Sequence, residues 1–442
     1  MAGLTHAGRI GYASGNLGKS ALWSTLDYFF LFIITELWGL RPAEAGLIIL
    51  VALVFDGLAA PIMGLIADRA TSKHGKYGPF LAIGAPLCAL SFALLLHRPP
   101  VEGQPLFWAV LGASLLFRAC YTICDVPHNA LFARVFQGPE DARLISGLRF
   151  FFSSLGAIVV GLAAGWVLAD PGLEERNARL VSFAVIAGIV YVATLWWSWR
   201  ATAAMDRRLP NTCASVSLIA ATRATFQSPA LVMLFAIAFV QAMSLPIFAK
   251  CLAFFAAYVA RDAAWVGPAL VALTLAQAFA LPLWVLATRR MSSMQALIGA
   301  YVFCILSLLA FAVTARGLDA WTFASLLLIG AGIGGANMAL WALLPEAIAS
   351  GQRPTEAKVE ALPTGFFLLA IKCGIGLGAG ALGLALDLHG LEAAQPGDEA
   401  FAGYLIALMA FTPCMGLMAA GALALWSLRL GGTRNAAEQN PH

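Results

Sequence analysis

Nine charged residues lie inside long apolar stretches of this sequence, where charged side chains are rare. They are Lys19, Asp27, Asp56, Arg118, Asp125, Arg149, Lys250, Glu346 and Lys372. A single charge at the centre of a bilayer costs at least about 2.5–3.5 kcal/mol. If the apolar stretches cross a membrane, these side chains must pair with each other, face an interior, or line a water-filled cavity.

Three of these charged residues are the strongest candidates for a solute-binding site. Asp125 lies in an otherwise apolar segment, Arg149 opens another, and Lys372 is the only charge between residues 362 and 386. A buried carboxylate that faces one or two buried cations can recognise a polar solute. The same charges could instead form a purely structural ion pair, and the sequence leaves both interpretations open.

Three other charges have a simpler alternative explanation. Arg118, Lys250 and Glu346 are the charges that we regard most readily as structural, because a long side chain near the end of an apolar stretch can reach the headgroup region. A functional role for each is equally compatible with the sequence.

The composition shows why the apolar stretches belong in lipid. The 442 residues are 61% hydrophobic and 11% charged, against roughly 45–50% apolar and about 25% charged in a soluble domain. A formal net charge of only +4, without a run of Lys and Arg, excludes a nucleic-acid partner. The eight Cys are scattered singly and without CxxC spacing, so neither a disulfide framework nor a zinc site is predicted.

Twelve apolar runs are long enough to cross a bilayer as helices, which takes about 20 residues each. The predicted spans are 11–38, 45–67, 79–97, 105–130, 145–169, 181–200, 229–258, 264–288, 295–314, 320–348, 361–388 and 402–428. They lack the alternation of membrane β-strands, and the first lacks the basic segment and short apolar core of a cleaved signal peptide. The sequence therefore predicts an all-α integral membrane protein.

Lys and Arg are distributed unevenly between the two sides of the predicted bundle. Sixteen lie on the side of the N-terminus, six on the opposite side and five within the spans. Because positively charged loops stay in the cytoplasm, both termini are predicted to be cytoplasmic, in a multi-pass protein of the cell (inner) membrane.

The spans divide into two sets of six. We expect an N-terminal bundle over 1–200, a polar cytoplasmic linker over 201–228, and a C-terminal bundle with a short cytoplasmic tail over 229–442. A faint repeat supports this division, because Pro61 near the end of the second span matches Pro282 near the end of the eighth at an offset of 221 residues. Parallel halves with a solute site between them are a recurring transporter design. Chance similarity of apolar segments that contain proline is the alternative.

Pairs of glycines at helix-packing spacing occur in three spans. They are Gly161-x-x-x-Gly165, Gly330-x-x-x-Gly334 and Gly376-x-x-x-Gly380. Small residues let helix backbones approach closely in lipid, so these motifs predict helix contacts and do not identify a site.

Several short motifs together resemble one family of membrane proteins. They are Tyr12-Ala-Ser-Gly-Asn-Leu-Gly-Lys19, Thr35-Glu-Leu-Trp-Gly-Leu40, Phe55-Asp56 with Pro61-Ile-Met-Gly64, Asp68-Arg69 with Gly75-Lys76-Tyr-Gly-Pro79, Tyr121-Thr-Ile-Cys-Asp125-Val-Pro127, Arg149-Phe-Phe, and, in the C-terminal half, Gly351-Gln-Arg353 and Lys372. In this order and spacing they resemble the sodium- or proton-coupled sugar symporters of the glycoside–pentoside–hexuronide family, within the major facilitator superfamily. The resemblance implies twelve helices in two pseudo-symmetric bundles of six.

The resemblance also implies roles for the charged residues. Lys19 and Asp125 would flank the sugar and cation sites of the N-terminal bundle, and Asp56 would be a ligand of the coupling cation. Arg149 and Lys372 would contribute to the polar centre between the halves.

Other positions are implied as neighbours of that centre. Tyr121, His128 and Asn129 accompany Asp125 in the fourth span and are expected to contact the substrate, with Asn129 replacing an aromatic residue of the family. Asp68 and Arg69, at the end of the second span, would form a cytoplasmic gate by charge pairing and a helix dipole.

The chain departs from the family pattern at acidic positions. Ser20 and Ala60 stand where the family has acids, and Leu53 replaces an arginine. A sodium site needs several hard oxygen ligands, so these losses favour proton coupling, or uncoupled transport, over sodium coupling. Asp27, in the first span, is a candidate substitute acid.

The sequence therefore indicates a secondary transporter, working by alternating access, for a sugar, glycoside or similar small polar organic solute. A lysolipid or amphiphile carrier of the same fold is the alternative within transport. An integral-membrane enzyme is disfavoured because no HExxH, GxSxG or nucleotide-binding loop is present. We expect no cofactor and no metal, H+ rather than Na+ as the coupling ion, and no obligate protein partner besides the solute and the lipid bilayer.

Overall fold

The computed structural model describes residues 4–70, 72, 75–135, 139–168, 172–208, 218–288, 290–315, 319–351 and 361–438. Within these ranges, twelve helices are long and apolar enough to cross a membrane. Each coincides with one predicted span, which confirms the all-α membrane fold. A helix satisfies its own backbone hydrogen bonds, which lipid cannot do for it.

The described residues form thirteen α-helices, twelve spans and one short connecting helix. They are α1 (His6–Phe32), α2 (Pro42–Arg69), α3 (Gly78–Leu95), α4 (Gln104–Val135), α5 (Pro139–Leu168), α6 (Leu173–Arg208), α7 (Leu218–Gln227), α8 (Pro229–Phe254), α9 (Val266–Ala287), α10 (Ser293–Thr314), α11 (Ala320–Gly351), α12 (Ala361–Leu388) and α13 (Glu399–Glu438). A π-helical turn continues α1 over Ile33–Leu37 and another continues α8 over Phe255–Val259. Short 3-10 turns cover Ala263–Trp265 and Leu391–Ala393.

The connection between the halves is more helical than its polar sequence suggests. Helix α6, predicted over 181–200, continues to Arg208, and α7 forms within the same connection. The ring of Phe226 in α7 packs edge-on against Phe366 at 5.0 Å and Phe235 at 6.3 Å. These contacts attach α7 to the C-terminal half.

Three helix pairs join the two halves: α1 with α8, α2 with α12, and α5 with α9. The glycine motif of α12 packs on Leu50 of α2, and that of α5 packs on Gly267 of α9. The motif of α11 packs within the C-terminal half, on Leu273 of α9. All three predicted motifs therefore lie at close helix contacts, as expected for small residues in lipid.

The internal repeat is visible in backbone irregularities at the ends of α1 and α8. The two π-helical turns begin at Ile33 and Phe255, 222 residues apart. Positive φ angles follow each turn, 77° at Gly39 and 55° at Arg261, again 222 residues apart. The local sequences differ, so the repeat belongs to the backbone and agrees with the offset of 221 found from the prolines.

Among the described residues, several polar contacts between the halves lie at one end of the bundle, which we call the distal end. This end holds the α1–α2, α8–α9 and α12–α13 connections and lies opposite the termini. Lys250 pairs with Asp27, and Arg41 donates to Asp387 at 3.2 Å. The halves are therefore held together at the distal end.

Candidate functional site

Helix α4 supplies one wall of the site. Arg118, Thr122, Asp125 and Asn129 follow one another at spacings of four, three and four residues, so their side chains share a face of the helix. Charged side chains from α1, α2, α5 and α12 meet this face. They form two clusters that are separated along α4 by about two helical turns.

The first group, the Asp125 cluster, contains Lys19, Asp125, Asn129 and Arg149. The Lys19 Nζ atom lies 2.5 Å from Asp125 Oδ1 and donates a hydrogen bond to Asn129 Oδ1 at 3.0 Å. The Asn129 amide nitrogen donates to Asp125 Oδ1 at 3.1 Å, and Arg149 Nη2 donates to Asn129 Oδ1 at 2.8 Å. An uncharged amide thus connects both cations to the one carboxylate.

The second group, the Asp56 cluster, joins the two halves. Asp56 is fully buried (0% exposed). Its Oδ1 atom accepts a hydrogen bond from Thr122 at 2.7 Å and lies 2.9 Å from Lys372 Nζ. Its Oδ2 atom lies 3.5 Å from Arg118 Nη1, and the Arg118 guanidinium also lies over the Trp23 ring at 4.9 Å. Lys372 comes from the C-terminal half, so this carboxylate connects the halves near the middle of their spans.

Arg118 and Lys250 do not reach the headgroup region, although the sequence offered that explanation for both. They are buried, and each pairs with a carboxylate of another helix. Glu346 behaves differently: it is exposed and accepts a hydrogen bond from Ser293 at 2.5 Å. The difference arises because a lysine or arginine buried deep in a bundle needs an anionic partner.

Asp27, the candidate substitute acid, lies in a third ion pair. Its carboxylate pairs with Lys250 of α8, whose Nζ also donates to the Asp27 backbone oxygen at 2.6 Å. Because α1 and α8 belong to different halves, this pair too is a link between them.

Two predicted substrate contacts are buried behind the Asp125 cluster. His128 is 0% exposed, and its ring stacks on Tyr12 at 4.9 Å. Its Nε2 atom lies 3.1 Å from Ser198 Oγ, and its Nδ1 atom lies 3.4 Å from Lys19 Nζ. His128 therefore supports Lys19 from behind, and the similarly buried Tyr121 is also closed off from a solute in this conformation.

The side chains of the expected cytoplasmic gate are not among those that the structure describes. Asp68 and Arg69 are the last two residues of α2, and their side chains lie outside the described residues, as does Arg353 of the C-terminal motif.

The C-terminal half contributes a polar group that the sequence analysis missed. The Tyr301 hydroxyl donates to Gln241 Oε1 at 2.6 Å, and Gln241 Nε2 donates to Asn337 Oδ1 at 2.9 Å. Tyr301 and Gln241 are buried, whereas Asn337 in the middle of α11 is exposed, as is Trp341 one turn later. Leu328, nine residues before Asn337, is also exposed and lies on the opposite side of the helix. Exposed side chains therefore lie on opposite faces of α11, and one of these faces carries Asn337 and Trp341.

These residues carry no formal charge, so a search for charges in apolar segments passes over them. An amide in the middle of an apolar span is the signal that could have identified Gln241 and Asn337, because an unsatisfied amide in hydrocarbon costs several kcal/mol.

The two clusters present charged and hydrogen-bonding groups that can bind a polar solute. Across the parts of the chain that the structure describes, no three His, Cys, Asp or Glu side chains come together as a metal site would require. What the clusters offer a solute is a set of oriented donors and cations, together with the exposed face of α11.

Comparison with known proteins shows which family has this architecture. A family model described as MFS/sugar transport protein matches residues 11–431. The glucuronide carrier protein homolog of Escherichia coli (strain K12) is 24% identical over 433 residues, which cover 94% of this chain and 91% of that protein. The uncharacterized symporter YnaJ of Bacillus subtilis (strain 168) is 31% identical over 180 residues, 39% of this chain and 38% of its own length. The match to YnaJ therefore spans about two fifths of that relative.

A solved structure of the nucleoside transporter NupG has the same fold. The two superpose with a TM-score of 0.67 over 95% of this chain and 99% of that one, at 14% sequence identity. The relatives are transporters and not enzymes, and the family expected from the sequence motifs is confirmed. The chain is a multi-pass membrane protein that belongs to the MFS/sugar transport family.

Proposed function

We propose that this chain is a secondary transporter that moves a sugar, glycoside or similar small polar organic solute by alternating access. The observation that carries the proposal is the Asp56 cluster, which places an ion pair between the two halves in the middle of the spans. Ionisable residues inside membrane spans commonly mark the pathway of a substrate or an ion, which is why this pair supports a transport role. Lys19, Asp125, Asn129 and Arg149 are then the binding residues of the N-terminal half.

The sugar-type substrate is supported by the relatives. The full-length match is to a glucuronide carrier protein homolog, and an isoprimeverose transporter of Lactiplantibacillus pentosus is 22% identical over 160 residues. On the C-terminal side, Asn337 and Trp341 would offer a hydrogen-bonding amide and an aromatic face, which suit the hydroxyls and apolar face of a sugar ring.

The coupling ion in this proposal is a proton. Both oxygens of Asp56 already face the cations of Lys372 and Arg118, which fill the place that a sodium ion would need. Asp125 faces Lys19 in the same way. A carboxylate that loses its cationic partner in a low-dielectric interior takes up a proton more readily, so separation of Lys19 from Asp125 would link solute movement to proton movement.

The proposed location is the bacterial inner membrane with both termini in the cytoplasm. Sixteen Lys and Arg residues lie on the terminal side and six lie on the distal side. This distribution favours the proposed orientation, because positively charged loops stay in the cytoplasm. The distal end, where the halves meet, would then face the outside.

The test is solute uptake by the purified protein in liposomes. We would measure uptake of a panel of radiolabelled glycosides and of lysophosphatidylcholine under an inward proton gradient, an inward sodium gradient, or neither. Proton-driven glycoside uptake is the expected result. Uptake driven by sodium and independent of pH would contradict the coupling, and transport of the lysolipid alone would contradict the substrate class.

Neutralising Asp125 provides the matched variant. Asp125→Asn should abolish proton-driven uptake while the protein still inserts and elutes as a single species, because the titrating group is removed. Glu175→Gln, at an exposed ion pair of α6, is the control and should transport normally. Unchanged uptake by Asp125→Asn would favour the structural ion-pair interpretation of that residue.

A further inference from the structure

Helices α5 and α6 each pack along α1 but have little contact with each other. Between them lies a cleft of about 290 Å³, which α1 also lines. Six of its lining side chains are Phe29 and Ile33 of α1, Val160 and Ala163 of α5, and Leu180 and Phe183 of α6. Thr25 lines the cleft too, but its hydroxyl donates to the Ala21 backbone oxygen at 2.8 Å. The cleft therefore presents an apolar surface.

The cleft lies on a different face of α1 from the charged clusters. Thr25 and Phe29 line the cleft, whereas Lys19 points about a third of a turn away around the same helix. Beside the cleft, Leu162 of α5 and Ile186 of α6 are 61% and 59% exposed. Apolar side chains of this size are unfavourable against water and favourable against hydrocarbon, which assigns this face of the N-terminal half to the bilayer.

Polar groups lie at one end of the cleft. Arg179, next to the lining residue Leu180, donates to the Trp166 backbone oxygen at 2.9 Å and so bridges α6 to α5. Its guanidinium lies 5.6 Å from the Trp166 ring centre, and it pairs with Glu175 at 2.5 Å. Tryptophan and arginine at the end of a membrane span are typical of the headgroup region. The cleft thus extends from the headgroup region into the hydrocarbon.

An acyl chain matches the shape and the surroundings of the cleft. If the cleft were empty, its lining side chains would lose packing contacts, and water does not fill a cavity with apolar walls. The volume lies at the lower limit of small-molecule pockets, which is roughly 300 Å³. An acyl chain is narrow and apolar, and the bilayer supplies it on every side of the protein.

The charges near Arg179 indicate which headgroup accompanies the chain. The first two turns of α6 carry two acids and two bases, namely Glu174, Glu175, Arg176 and Arg179. A guanidinium binds phosphate through charge-assisted hydrogen bonds, whereas neighbouring carboxylates repel a headgroup with a net negative charge. Together these effects favour a headgroup that has a phosphate but no net charge.

We infer that the cleft between α5 and α6 binds a zwitterionic phospholipid, with one acyl chain in the cleft and the phosphate at Arg179. The lipid fills the space that α5 and α6 leave open on α1 and stabilises the N-terminal half. It does not contact the solute, so the inference is independent of the proposed function.

The test is lipid binding by the purified, delipidated protein in the absence of a solute. Native mass spectrometry in detergent would follow titrations with palmitoyl-oleoyl phosphatidylethanolamine, phosphatidylcholine and phosphatidylglycerol, and thermal unfolding would be measured with each lipid. We expect a single tight binding event that raises the melting temperature. Both zwitterionic lipids should bind about 2- to 5-fold more tightly than phosphatidylglycerol, the range for a partly exposed charge interaction.

Two variants test the two parts of the site. Ala163→Phe places a ring in the cleft, so it should abolish the tight binding event and raise the melting temperature of the lipid-free protein, whereas a misfolded variant would melt lower. Arg179→Gln should weaken binding of the zwitterionic lipids by roughly 10-fold, the lower end of the range for a hydrogen bond to a charged group.

Each variant has a matched control. Ala310→Phe adds the same ring at an exposed position of α10. Arg207→Gln removes an exposed arginine at the other end of α6. Both controls should bind the lipids as the unmodified protein does.

The outcomes separate the cleft from the headgroup. If Ala163→Phe binds the three lipids as the unmodified protein does, the cleft is not the site and the inference falls. If Ala163→Phe loses binding but Arg179→Gln and the headgroup have no effect, the assignment of the phosphate to Arg179 is wrong. If phosphatidylglycerol binds most tightly, the zwitterionic class is wrong. Solute uptake enters none of these measurements, so each outcome leaves the proposed function to its own test.

Discussion

Asp56 is fully buried and has three partners, which come from two helices besides its own. Thr122 donates to one of its oxygens, and Lys372 and Arg118 face the carboxylate from either side. Replacing a whole buried ion pair by apolar residues is often neutral, whereas removing one partner costs about 3–5 kcal/mol. The cluster therefore predicts a difference between single and double substitutions.

We expect Asp56→Asn to lower the free energy of unfolding by about 3–5 kcal/mol, because it leaves two buried cations without a carboxylate. The double variant with Lys372→Met should recover part of this loss, since only Arg118 is then unpaired. Thermal unfolding in detergent measures both. Asp387→Asn, at a partly exposed pair with Arg41, should cost at most about 1 kcal/mol. Equal effects of the Asp56 and Asp387 variants would contradict the role of the buried cluster.

The hydrogen-bonded series Tyr301–Gln241–Asn337 predicts that a residue without contact to the solute affects solute binding. Tyr301 is 1% exposed and cannot touch a solute, but its hydroxyl orients the Gln241 amide and through it Asn337. We expect Tyr301→Phe to raise the KM for uptake by about 2- to 12-fold, the equivalent of one neutral hydrogen bond, with little change in the maximal rate.

Tyr404→Phe is the control for this substitution. Its hydroxyl donates to the Ala385 backbone oxygen on the other side of the C-terminal half, so its removal should leave KM unchanged. An unchanged KM in Tyr301→Phe, with normal folding, would mean that the orientation of Asn337 does not matter for binding.

The sequence identified the charged residues inside the apolar spans but not the residues with which they pair. Lys19 and Asp125 could be singled out because each is costly in an apolar span. The pairing of Arg118 with Asp56, or of Lys250 with Asp27, joins residues 62 and 223 positions apart, and no periodicity within one helix reports such a contact.

Helices α1 and α8 meet in a way that follows the internal repeat. Asp27 pairs with Lys250, Phe32 packs on Phe254 with ring centres 5.1 Å apart, and the Tyr258 hydroxyl donates to Glu36 at 2.7 Å. Each pair joins residues 222 or 223 positions apart, the same offset as the π-helical turns. A residue of α1 thus contacts its own counterpart on α8, as at a two-fold interface.

Because equivalent positions of α1 and α8 contact each other, exchanging the charges of Asp27 and Lys250 should be tolerated. We expect Asp27→Lys alone to abolish uptake, because two buried lysines then face each other across the halves. Combining Asp27→Lys with Lys250→Asp restores opposite charges at equivalent positions and should recover much of the transport. Liposome uptake and surface expression of the three proteins measure this.

A different result would assign Asp27 another role. If the exchanged double variant is well folded but remains inactive, the carboxylate must stand on α1 in particular, as a proton-binding group would require. The matched control is Arg41→Glu, which alters a partly exposed contact of the distal end and should reduce uptake only modestly.

The helices themselves could be predicted, because length and hydropathy are sufficient to identify a span. The glycine motifs predicted that α5, α11 and α12 each approach another helix closely, but not which helix that would be. The π-helical turns could not be predicted, because Ile33–Leu37 and Phe255–Val259 share no residue type at matched positions.

In the part of the molecule that the structure describes, three polar contacts between the halves lie at the distal end. Asp27–Lys250, Glu36–Tyr258 and Arg41–Asp387 link the halves there. Alternating access then requires the distal contacts to separate while the terminal side closes.

A reversible cross-link at the distal half of α2 and α12 tests this requirement. A Cβ atom at Gly380 would lie 3.6 Å from the Leu50 Cβ, within the range of about 3.5–4.5 Å that a disulfide needs. In a protein whose native cysteines are replaced by serine, we expect Leu50→Cys with Gly380→Cys to lose uptake on oxidation and to regain it on reduction. Solute binding from the terminal side should persist in the oxidised form, because the cross-link constrains only the distal halves of α2 and α12.

The control cross-link lies within the N-terminal half. A Cβ atom at Gly188 of α6 would lie 3.1 Å from the Ala89 Cβ of α3, so a shift of a few tenths of an ångström brings the pair to disulfide distance. Ala89→Cys with Gly188→Cys then joins two helices of the same bundle. Its oxidation should leave uptake intact. If oxidation of the α2–α12 pair also left uptake intact while the cross-link was complete by mass spectrometry, the halves would not need to part at the distal end. Transport would then have to proceed through a path other than the one between α2 and α12.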